Sequence, residues 1–136
     1  MTGKKILIVD DDASFAESNK DLLDAYGYEV HVADGGKAGL EMAKQIRPDL
    51  MILDVMMATD TEGFEVARKI PESPELRHMG VLLVTGITKA LSLPGGLKPD
   101  DTWLPVDRVL DKPIAPVRLI AEVERVLKER DKQRNA

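Results

Sequence analysis

The chain contains no cysteine, which excludes disulfide frameworks and thiolate-ligated zinc or iron–sulfur sites. Its two histidines, His31 and His78, are too few for most histidine-rich metal sites. A basic excess is also lacking. With 24 acids against 19 bases the net charge is −5, which disfavours a face that binds nucleic-acid phosphates. The first apolar run, Ile6 to Val9, stops at three aspartates and is too short for a signal-peptide core or a membrane span. The expected compartment is therefore the cytoplasm. No internal repeat, linker or second domain is evident. The composition, 43% apolar and 32% charged over 136 residues, fits one soluble globular domain, residues 1–136. Its core is expected from about 4 to 127, with a charged C-terminal end over 128–136.

What is present is an alternation of strands and helices. Lys5–Val9 is an unbroken apolar run of the kind buried on both faces of a parallel sheet. A helix follows from about Ala13, with Phe15, Leu22, Leu23 and Tyr26 expected inside, Asp12 as its cap and Gly27 as its left-handed end. Tyr28–Ala33 reads as a strand, Lys37–Arg47 as a helix halted before Pro48, and Asp49–Leu53 as a third strand. Gly63–Ile70 makes a short helix ended by Pro71, and Val81–Val84 a fourth strand. From Leu91 to Pro105 prolines and glycines break up the pattern, so a helix there is expected to be short or irregular. Val106–Leu110 is a fifth, amphipathic strand. The last helix starts at Pro116 and turns Val117, Ile120, Val123 and Leu127 inward, while Arg130–Ala136 is expected to fray. This order implies an α/β domain whose ligands bind beyond the carboxyl ends of the strands.

Those ends carry the chemistry. Strand one runs into Asp10, Asp11 and Asp12, strand three into Asp54, strand four into Thr85-Gly86, and strand five into Asp111-Lys112-Pro113. Two carboxylates about 4 Å apart repel by ~4 kcal/mol at an effective dielectric near 20. Such a cluster calls for a cation, and oxygen-only ligands suit magnesium better than zinc. One carboxylate is then left as a nucleophile, with Thr85 and Lys112 available to hold the oxygens of a phosphoryl group. The chemistry that fits is metal-assisted phosphoryl transfer. The Gly35-Gly36-Lys37-Ala38-Gly39 stretch lacks the Lys-Ser/Thr ending of a phosphate loop and reads as a turn before the second helix.

The segments Ile-Leu-Ile-Val-Asp-Asp-Asp (6–12), Pro-Asp-Leu-Met-Ile-Leu-Asp-Val-Met-Met (48–57), Gly-Phe-Glu (63–65), Leu-Leu-Val-Thr-Gly (82–86) and Leu-Asp-Lys-Pro (110–113) resemble the receiver domain of two-component response regulators. The likeness runs from about Lys4 to Leu127. It implies a flavodoxin-like, doubly wound, five-stranded parallel sheet of order 2-1-3-4-5 with helices on both faces. It also implies Mg2+-dependent transfer of a phosphoryl group from a phosphohistidine, on a sensor histidine kinase or histidine phosphotransfer protein, to Asp54. Carried over position by position, Asp11 binds magnesium directly and Asp10 through water, alongside Asp54 and the backbone carbonyl of Met56. Thr85 and Lys112 contact the phosphoryl group, and the bond to Pro113 is cis.

The likeness is broken in places. Ala58 stands where most receivers have proline, and Gly63 lies nine residues after Asp54 instead of eight. Val109 occupies the position of an aromatic switch residue, and a Pro/Gly-rich stretch around Trp103 replaces the helix between strands four and five. Activation is thus expected to be reported through Gly86–Leu110. The expected product is a stand-alone, phosphorylation-switched binding module without nucleic-acid or membrane partners, not a turnover enzyme. The rival reading is a small haloacid-dehalogenase-like phosphatase using Asp10 of an Asp-x-Asp motif.

Overall fold

A computed structural model describes residues 3–54, 62–85 and 105–134. Five strands, β1 (Lys5–Val9), β2 (Glu29–Ala33), β3 (Leu50–Asp54), β4 (Gly80–Thr85) and β5 (Arg108–Asp111), form one parallel sheet of order β2-β1-β3-β4-β5. The helices among the described residues are α1 (Ala13–Ala25), α2 (Gly36–Ile46), α3 (Glu62–Lys69) and α4 (Pro116–Arg134).

The unbroken apolar strands are explained by two cores, one on each face. Successive side chains of a strand point to opposite faces. Leu7, Val9, Met51, Leu53, Val81 and Leu83 therefore pack with Ala43 of α2 and Val66 and Ala67 of α3. Their alternates Ile6, Ile8, Leu50, Ile52, Leu82 and Val84 pack with Leu23 of α1 and Ile120, Val123 and Val126 of α4. A one-residue slip of any central strand would exchange its two faces, so the register is strongly specified.

Local signals end the helices as expected. Asp12 accepts a hydrogen bond from the Phe15 N–H at 3.2 Å and caps α1. Gly27, just past its end, has φ +92°, a conformation costly for any residue with a Cβ. At Gly39 a Cβ would lie 2.8 Å from both Val9 γ-carbons, so this glycine lets α2 approach β1 closely.

Several expectations need correction. Tyr26 is 53% exposed rather than inward, because it is the residue at which the helical periodicity of α1 stops. Val117 is 79% exposed; it stands in the first turn of α4, and burial starts at Leu119 and Ile120. Of the Arg130–Ala136 end, residues 130–134 do not fray, since α4 continues to Arg134. The guanidinium of Arg130 grips Asp107 with two bonds of 3.0 Å, and Lys4 holds Asp131 at 2.9 Å. Strands two and five begin one and two residues later than expected, at Glu29 and Arg108. The Leu91–Pro105 stretch up to residue 104, Trp103 within it, and the loop with Ala58 lie outside the described residues.

Candidate functional site

The order of the strands reverses between β1 and β3, which are direct neighbours with Val9 opposite Leu53. The next residue on each, Asp10 and Asp54, therefore emerges side by side at the carboxyl edge. Asp11 joins them. One carboxylate oxygen from each of Asp10, Asp11 and Asp54 lies within 4.8 Å of the others. Asp10 and Asp54 are buried, at 2% and 5% exposure, whereas Asp11 is open to solvent.

The fold pins Asp10 from several sides. Its backbone N–H donates to Ala33 O, one carboxylate oxygen accepts from the Asp12 N–H at 2.9 Å, and the other faces Lys112 Nζ at 3.1 Å. The same ammonium stands 3.7 Å from Asp54 Oδ1. Lys112 follows β5, two strands from β3 and so roughly 10 Å away by sheet spacing. A four-carbon arm is needed to cover that distance, which a shorter cation could not do. The Lys112–Pro113 peptide bond is cis.

The donor set decides what can bind. Three carboxylates and, among the described residues, no nitrogen or sulfur ligand suit a hard divalent cation, and magnesium keeps several waters of its own. The exposure of Asp11 leaves the group open to water on that side. Of the other residues expected here, Thr85 ends β4 in register with Asp111. Met56 lies outside the described residues. Asp12 is turned to its capping task. Val109 is half-buried and packs against the α2/α3-side core.

One feature escapes the sequence. The Phe15 ring, expected simply as an inward residue of α1, lies 4.1 Å from Lys112 Nζ. Its place five residues after Asp10, in the first turn above the strand end, is the only sequence signal for this. Alongside runs a cleft of about 960 Å3, lined by Phe15, Asn19, Leu22, Lys112, Ile114 and Pro116 among others.

Comparison with known proteins agrees with this geometry. The family model of the response regulator receiver domain matches residues 6–124. Response regulator PleD of Caulobacter vibrioides (strain NA1000 / CB15N) is 36% identical over 119 residues, 88% of this chain and 25% of that protein. The polar-differentiation response regulator DivK of Brucella anthropi is 34% identical over 82 residues, 60% of this chain and 66% of that protein. The chain thus matches a quarter to just under two thirds of the length of these relatives. The crystal structure of a response regulator receiver domain protein (CheY-like) from Methanospirillum hungatei JF-1 superimposes with a TM-score of 0.77 at 30% identity, covering 96% of this chain and 98% of that one. A family match of this extent, on a sheet of this order, makes the chain a member of the response regulator receiver domain family.

Proposed function

We propose that the chain accepts a phosphoryl group on Asp54 from a phosphohistidine of a sensor kinase or phosphotransfer protein, and that phosphorylation switches its contacts with other proteins. The observation that carries this reading is the convergence of the Asp10, Asp11 and Asp54 carboxylates, with the Lys112 ammonium reaching in from β5. In the transfer an Asp54 carboxylate oxygen attacks phosphorus, the P–N bond of the donor breaks, and its electron pair stays with the imidazole. Asp10, Asp11 and Asp54, with the Met56 carbonyl, hold Mg2+. When bound, it offsets the carboxylate charge and the charge on the transferred oxygens. Lys112 and Thr85 meet those oxygens. The cleft beside α1, lined by Phe15, Leu22 and Lys112, offers a partner a surface next to the acid group.

Receiver domains are signalling modules, not classical turnover enzymes. No helix of the described residues is long and apolar enough to cross a membrane, and the reading assigns the chain to the cytoplasm with its kinase's phosphohistidine. The phosphatase alternative loses support, because both Asp10 carboxylate oxygens are engaged and the family match points elsewhere.

The test is intact mass after incubation with magnesium and acetyl phosphate. One phosphoryl group should be added to the wild type and none to Asp54→Asn. A covalent adduct that survives Asp54→Asn and disappears in Asp10→Asn would overturn the proposal in favour of the phosphatase.

A further inference from the structure

Four contacts close a ring beside the acid pocket. Asp10 Oδ1 accepts the Asp12 N–H at 2.9 Å, and Asp12 Oδ1 accepts the Phe15 N–H at 3.2 Å. The Phe15 ring lies 4.1 Å from Lys112 Nζ, and Lys112 Nζ returns to Asp10 Oδ2 at 3.1 Å. The Phe15 carbonyl is also held, by Asn19 Nδ2 at 2.8 Å. The backbone that carries the ring is thus fixed by Asp12, whose own N–H is held by the acid that Lys112 pairs with.

We propose that Phe15 is a positioning residue for Lys112, holding the ammonium over the acceptor carboxylate; the proposal rests on the reading of Lys112 as a contact of the phosphoryl group. The physical need is plain. Lys112 reaches across from β5 on a flexible arm, and its side chain keeps 24% of its surface in water. The negative face of an aromatic ring attracts a cation without neutralising it. A carboxylate in that place would compete with the phosphoryl oxygens for the ammonium. The ring instead shields one side of the ammonium from water and adds no further negative charge to those of Asp10 and Asp54. Phe15 also packs against the core on the α1/α4 side, so its own position is set by burial as well as by the cap.

The experiment uses the full chain, magnesium and acetyl phosphate, with Phe15→Leu, Phe15→Tyr and Phe15→Trp beside wild type. Phe15→Leu should slow phosphorylation roughly three- to tenfold, the range a part-buried cation–π contact supports. Tyr and Trp, which keep a π face, should stay within about twofold of wild type. A second readout needs no turnover and no leucine variant. The ε-methylene protons of Lys112 should resonate upfield of the other lysines in the wild type, through the ring current. That displacement should persist in the Tyr and Trp variants and vanish in Leu. Wild-type Lys112 protons at the ordinary lysine position would overturn the proposal, as would a leucine variant as fast as wild type. Tyr and Trp variants as slow as Leu would reduce Phe15 to packing and overturn it too. Failure of the underlying reading has a different signature. Lys112→Ala would then phosphorylate at the wild-type rate while the wild-type Lys112 resonance stays shifted, and both readings would fall.

Discussion

Two charged clusters lie near β5 and are built in opposite ways. Around Asp107 each charge meets its complement. Arg130 forks onto both carboxylate oxygens, one of which also accepts the Val81 N–H at 2.7 Å, while Asp107 N–H returns a bond to Val81 O. Next to it, buried Glu122 receives Arg108 at 2.9 Å and faces Arg125 at 3.6 Å. Such planar, two-point pairing fixes geometry and asks for nothing more. It ties α4 to the edge of the sheet. At the carboxyl end, by contrast, Asp10, Asp11 and Asp54 crowd like charges together, and among the described residues Lys112 is the cation brought to them. The first cluster is finished by the fold. The second is poised for something that arrives.

The largest effect that can break this comparison concerns magnesium. Asp11→Ala removes a charge and a ligand oxygen and should weaken magnesium binding roughly tenfold or more, on the scale of lost metal-site contacts. Asp12→Ala removes a cap and should leave affinity near wild type while lowering stability by about 1 kcal/mol. Equal affinity losses in a calorimetric titration would mean that the acid group does not single out Asp11.

Next comes stability without metal. Asp107→Asn abandons the charge that Arg130 and the Val81 N–H share, and should cost about 2 kcal/mol in urea unfolding. Asp11→Asn, in EDTA, should do the reverse and stabilise by about 0.5–1 kcal/mol, because it relieves repulsion at an exposed position. If both variants destabilise, the acid group is not under like-charge strain and the contrast fails.

A steric change should be comparable in size to the loss of the Asp107 charge. Gly80→Ala would place a Cβ 2.7 Å from Val126 Cγ1 and 3.1 Å from Leu50 Cδ1, where β4 meets α4. Overpacking of this kind costs about 1–3 kcal/mol, readable as a lower urea midpoint with unchanged magnesium affinity.

The smallest expected effect is a pH dependence at the far end of the sheet. Burial, and then the Glu124 charge, push the Tyr28 phenol above its ordinary value. A folded-state pKa above the unfolded one gives stability that is complete below about 10 and is lost as pH rises through the folded value. Tyr28→Phe should therefore flatten the alkaline limb of the stability curve, measured by urea midpoints on either side of that range. An alkaline limb identical in Tyr28→Phe would show that another group carries it.

Much of this molecule was legible in the residues. Unbroken runs such as Ile6–Val9 and Leu50–Leu53 must be buried on both faces, and strands of that kind alternating with helices require a parallel sheet. The Asp12 cap and the Gly27 end are local chemistry, set by a few consecutive residues, and so are readable without the fold. The acids at the strand ends were legible for the same reason. Periodicity failed at the ends of elements: it turned Tyr26 and Val117 inward, although Tyr26 has no helical turn after it and Val117 none before it to carry the buried stripe. Composition failed at Arg130–Arg134, because a run of mixed charges reads as solvated until Asp107 and Lys4, distant in sequence, are brought beside it. Only tertiary structure could set Lys112 against Asp10, 102 positions away, with Phe15 under its ammonium. Contacts across a sheet depend on strand order and on the reach of one long side chain, and neither is a property of neighbouring residues.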